Sequence, residues 1–86
     1  MNDDDWKEVE KNFNELIEMQ QKRLLACGRR IVPNLTTDDM LQPNDFIELD
    51  NNPLFRYEEG VLIGIKTAQM SLRMVQRDQS EQKSPS

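Results

Sequence analysis

The sequence predicts an all-α fold: an antiparallel two-helix hairpin whose ordered linker contains a short helical turn. Three observations predict it. Apolar residues recur at helical spacing over two long stretches, from Trp6 to Ile31 and from Leu54 to Val75. Pro33, Pro43 and Pro53 place the helix breaks in the segment between them. Charge falls in blocks: residues 1–20 carry a net −5, residues 21–33 carry +4, residues 34–60 carry −6 and residues 61–86 carry +2. Folding the second helix back along the first brings Lys22, Arg23, Arg29 and Arg30 toward Glu58 and Glu59. It also brings the acidic amino end toward Arg73 and Arg77. A surface pair is worth only about 0–1 kcal/mol, so the blocks bias orientation more than they add stability.

The first helix is expected over about residues 4–31. Met1 and Asn2 are expected to fray, and Asp3, Asp4 and Asp5 form an acidic cap. Trp6, Val9, Phe13, Leu16, Ile17, Leu24, Cys27 and Ile31 make its apolar seam. Gln20 interrupts that seam and reads as an edge residue. Cys27 faces the same side and reads as a small core residue rather than a nucleophile. Pro33 stops the helix by Val32, because the residue before a proline disfavours helical backbone.

The linker, residues 33–51, is long for a helix–helix connection. Thr36 or Thr37 caps a turn over about residues 37–42, which Pro43 ends. Leu35, Leu41, Phe46, Ile47 and Leu49 are too many apolar groups for a free loop. The linker is therefore expected to fold over the open end of the helix pair.

The second helix is expected over about residues 53–77, with Asn52 as N-cap and Pro53 at the first helical position. Val61, Ile65, Ala68, Leu72 and Val75 form one seam, joined on a helical wheel by Leu54 and Tyr57. Gly60, Gly64, Thr67 and Ser71 lie beside it, and Ile63, Met70 and Met74 continue the arc. Glu58, Lys66, Gln69, Arg73 and Arg77 hold the remaining polar sector. One neighbouring helix covers an apolar stripe of roughly 100° or a little more, so the arc is too wide for the first helix alone. Gly60 and Gly64 each cost about 0.8–1 kcal/mol relative to Ala inside a helix. They either make room for side chains of the first helix or open a groove for a second chain. The helical domain spans residues 1–77, and the polar tail, residues 78–86, is expected to be disordered.

A chain of 86 residues is at most one small domain. Domains this short gain little from burial and rely on disulfides, metals or partners. A single cysteine rules out an internal disulfide, and with no histidine beside it a zinc site is not expected. The remaining support is association, and two hairpins are expected to dimerise into a four-helix bundle. A net charge of −5 argues against a general nucleic-acid binder. The amino end is acidic rather than basic and apolar, and the longest apolar run, Val61 to Ile63, is far short of a membrane span. The expected setting is cytoplasmic and away from membranes.

No catalytic residue, cofactor or metal is expected. Asp38 with Asp39, and Glu58 with Glu59, are neighbours that point about 100° apart on a helix and do not converge. The oxygen-rich run from Asp45 to Asn52 lacks the glycine and spacing of an EF-hand loop. The expected function is non-catalytic protein–protein interaction, as an adaptor, small chaperone or regulatory subunit. It would act through the apolar face of the second helix, with Gly60, Ile63, Gly64, Met70 and Met74 as contact residues. The alternative is a nucleic-acid-linked regulator using Lys22, Arg23, Arg29 and Arg30 as a patch for phosphates or an acidic partner.

Overall fold

Asn2 starts the first helix rather than fraying. Its side-chain oxygen accepts from the Asp5 amide at 2.9 Å, and the Asp5 carboxylate accepts from the Asn2 amide at 3.2 Å. Two of the amides left without helical partners are thereby satisfied. In the computed structural model, which describes residues 1–82 and the side chains of residues 1–80, α1 then runs Asp3–Ile31. The linker holds two 3₁₀ turns, Asp39–Leu41 and Pro43–Asp45, and the short helix α2, Ile47–Asp50. The long helix α3 covers Pro53–Gln82. The described chain is all-helical, and the two long helices pack antiparallel along their lengths.

The seam between α1 and α3 follows a seven-residue repeat. On α1, Trp6, Phe13, Gln20 and Cys27 alternate with Glu10, Ile17, Leu24 and Ile31. On α3, Phe55, Leu62, Gln69 and Gln76 alternate with Glu58, Ile65, Leu72 and Gln79. Every one of these positions is buried or half-buried. Alternating spacings of three and four keep one stripe facing the partner when helices wrap around each other.

This register corrects three expectations. Tyr57 and Leu54, read as seam residues, are 67% and 69% exposed, and Val75 is 44% exposed. Phe55 and Leu62 take the centre instead. Gln69, assigned to the polar sector, is 7% exposed, and Gln20, assigned to the edge, is 3% exposed. The cause is that α3 has two apolar stripes, and the one facing α1 contains three glutamines, Gln69, Gln76 and Gln79. Apolar periodicity alone selects the wrong stripe.

The buried amides are satisfied by the facing helix. Gln20 Nε2 donates to the Glu58 carbonyl at 3.0 Å and to the Glu58 carboxylate. Gln69 Nε2 donates to Glu10 at 3.1 Å and to the Asn14 side-chain oxygen at 3.0 Å. Among the described residues, no buried side-chain nitrogen or oxygen lacks a partner. These two polar layers lie between the apolar ends of the hairpin and set its register, because a slip would strand buried amides.

Among the described residues, the ion pair that joins α1 to α3 lies at the open end of the hairpin. Arg73 donates two hydrogen bonds to Glu10, as the opposition of the acidic amino end to Arg73 implies. At the other end Glu59 pairs with Arg56 of its own helix at 2.9 Å, and Glu58 engages Gln20. The Arg73 guanidinium holds the Glu10 carboxyl below its ordinary value, with burial opposing and Gln69 assisting. A depressed carboxylate stabilises the fold fully above its unfolded value, near 4.5, and loses that stabilisation as pH falls through the folded value. Thermal melts between about pH 5 and pH 3 should therefore decline less steeply for Glu10→Gln than for the parent.

The linker closes the end of the hairpin. Thr36 and Asp39 exchange backbone-to-side-chain bonds of 2.9 and 3.2 Å, capping the first 3₁₀ turn. Arg29 Nε donates to the Leu35 carbonyl at 2.9 Å. Leu35 and Leu49 are 1% and 0% exposed and form the main core with Leu24, Phe55 and Leu62. Met40, Phe46 and Cys27 pack against that core. Gly28 lets the linker approach α1: a Cβ there would stand 2.5 Å from Leu35 Cδ2. Asn52 caps α3 by accepting from the Phe55 amide at 3.0 Å. The helix continues to Gln82, past the expected end at Arg77, so residues 78–82 are helical rather than disordered. The rest of the expected tail, residues 83–86, lies outside the described residues.

Candidate partner-binding face

All five residues expected to make contacts lie on the side of α3 turned away from α1. Ile63, Met70 and Met74 are 57%, 62% and 62% exposed. Gly60 and Gly64 are exposed, and a Cβ at either would meet nothing within 4 Å. The glycines therefore do not make room for the first helix, which removes the intramolecular reason for their helix-propensity cost. Leu54, Tyr57, Ala68 and Val75 add to the same exposed surface. Apolar spacing alone assigns these four to the seam, and their exposure follows from the register above.

Charge is absent from this surface over a long span. Between Tyr57 and Val75 the charged residues are Glu58, Glu59, Lys66 and Arg73. Glu58 bonds Gln20, and Arg73 bonds Glu10. Lys66 lines a groove with Gln21 and Lys22 of α1, and Glu59, seven residues before it, occupies the same flank. All four thus lie on the sides of α3 nearest α1. Thr67 directs its hydroxyl to the Ile63 carbonyl at 2.8 Å, which satisfies its hydrogen within the helix. The outer side of α1 contrasts with it, since Asp4, Asp5, Glu8, Lys11, Glu15, Glu18 and Lys22 are all exposed there. One helix of the hairpin has a solvated back and the other an uncharged one.

The hairpin is too thin to cover the second stripe itself. Its extents are 55 × 19 × 19 Å, and a helix with side chains is roughly 10–12 Å across. Two helices fill that width.

Of the four basic residues Lys22, Arg23, Arg29 and Arg30, two engage neighbours on their own side of the hairpin. Lys22 lies 3.5 Å from Glu18, and Arg29 is held by the Leu35 carbonyl. Arg23 and Arg30 line a separate groove with Ala26, Cys27, Leu54 and Glu58. Among the described residues, no group of three or more His, Cys, Asp or Glu side chains is placed to hold a metal ion. No described helix is long and apolar enough to cross a membrane. Fold and surface together define an antiparallel helical hairpin with an unpartnered outer helix face. Comparison with protein-family models, curated proteins and solved structures found no match to this chain.

Proposed function

We propose that the chain is a non-catalytic protein-interaction module, an adaptor, small chaperone or regulatory subunit, whose binding surface is the outer face of α3. The observation that carries this reading is the uncharged, exposed face that α3 turns away from α1 between Gly60 and Met74, set against the heavily charged back of α1. An apolar helix face recognises a complementary apolar helix or groove, so the bound form completes a helical bundle. The simplest such form joins two hairpins into four helices. Tyr57 and the methionines suit the role, because aromatic and methionine side chains are enriched at the centres of interfaces.

The test is affinity capture with the parent chain and with Ile63→Glu/Met70→Glu. Both positions are exposed, so circular dichroism should show unchanged helicity. Partners captured by the parent should be lost from the double variant. Identical partner sets would sink the proposal.

A further inference from the structure

Outside the α1 seam, Leu54, Tyr57, Val61, Gly64, Ala68, Ser71 and Val75 recur at spacings of three and four. They form a second heptad stripe along α3, exposed except for half-buried Val61. Resting on the protein-interaction reading above, we infer that this stripe seats a second copy of the same chain, with the two α3 helices antiparallel across a two-fold axis near residue 66. The stripe is the flank of the outer face that lies beside Ile63, Met70 and Met74, and it shares Gly64 with the contact residues named above.

Charge and side-chain size both select that partner and that orientation. The stripe carries no charge, so an ionised partner surface gains nothing on it, whereas the same stripe on another copy matches it in chemistry. Its ends carry opposite charges. Arg23 and Arg30, with the single acid Glu58, share a groove with Leu54 at one end, which leaves that end net positive. Asp78 continues the stripe's spacing at the other end, where the amino-terminal acids of α1 begin. Antiparallel pairing sets each basic end beside the acidic end of its partner. Parallel pairing would stack like on like. In the antiparallel register Gly64 faces Ala68 of the second copy, Val61 faces Ser71, and Tyr57 faces Val75. Small residues meet at the middle, where the helix axes can approach closely, and each larger side chain meets a smaller one. A parallel pair would oppose Tyr57 to Tyr57 and Gly64 to Gly64, leaving crowding at one layer and a gap at the other.

Two measurements test the inference. Sedimentation at tens of micromolar should give twice the 10.1 kDa chain mass. Ala68→Glu and Gly64→Arg should each shift the chain to monomer with helicity retained, since both positions are exposed and Gly64 has open space around it. Orientation is read from a spin label at Asp4→Cys in a Cys27→Ala background. At about 1.5 Å per residue, the antiparallel dimer separates the two labels by about 40 Å or more, whereas a parallel dimer holds them about 20 Å apart. A monomeric parent chain, a dimer indifferent to both substitutions, or a short label distance each overturns the inference. The interaction reading is judged separately, because a monomer that still loses captured partners on Ile63→Glu/Met70→Glu retains that function with a different occupant.

Discussion

Phe55→Ala should cost about 3–5 kcal/mol, the range for emptying a buried phenylalanine site. A domain of this length has a total stability of about 4–13 kcal/mol at the usual 0.05–0.15 kcal/mol per residue. The substitution therefore removes much of the margin, and urea or thermal melts should show a large loss. Phe55 is fully buried where α1, the linker and α3 meet, in one cluster with Leu24, Leu35, Leu49 and Leu62. The smaller side chain cannot be compensated by collapse, because the ring lies against Gly28, where α1 has no side chain to advance. Tyr57→Ala provides the contrast. Tyr57 is 67% exposed, so removing it from the isolated hairpin should change stability by about 0.5 kcal/mol or less. If Tyr57→Ala proved the costlier of the two in the monomeric Ala68→Glu background, the register of the hairpin would be wrong.

That contrast also locates the limit of reading this fold from its sequence. The two long helices, the stop before Pro33 and the Asn52 cap follow from local chemistry and are legible residue by residue. The linker is legible in part: Leu35 and Leu49 are buried and Phe46 is half-buried, but Leu41 and Ile47, expected to fold down with them, are 79% and 72% exposed. The antiparallel direction is legible from the charge blocks, and Arg73 on Glu10 realises it. The face of α3 that meets α1 is not legible, because α3 carries two stripes of heptad spacing. The less apolar of them, holding Gln69 and Gln76, is the one turned inward. Its polarity is explained only by the facing chain, which supplies acceptors for Gln69 in Glu10 and Asn14. Such pairing depends on which residues meet across the seam, and no local pattern reveals it. For the same reason, Ile63, Met70 and Met74 could be placed on an outer arc from the sequence, whereas Leu54, Tyr57 and Val75 could not.

The second large effect is a coupling between Leu35 and Gly28. Leu35→Ala alone should cost about 2–5 kcal/mol, because Leu35 is 1% exposed within the main core. Gly28→Ala alone combines opposing terms. It gains about 0.8–1 kcal/mol of helix propensity. It also drives a Cβ to within 2.5 Å of Leu35 Cδ2 and 3.4 Å of Phe55 Cε2. Overpacking of this kind typically costs about 1–3 kcal/mol. Leu35 has little freedom to withdraw, since it is enclosed by the core and its carbonyl is fixed by Arg29. The single variant should therefore be destabilised on balance. Combining the two substitutions removes the clashing methyl, and the new Cβ partly fills the space it vacates. The double variant should then be more stable than the sum of the single effects requires, with a coupling of about 0.5–3 kcal/mol. Chemical denaturation of the four chains measures it. Strict additivity would show that the linker does not rest on α1 at Gly28, and the closure of the hairpin would then need another explanation.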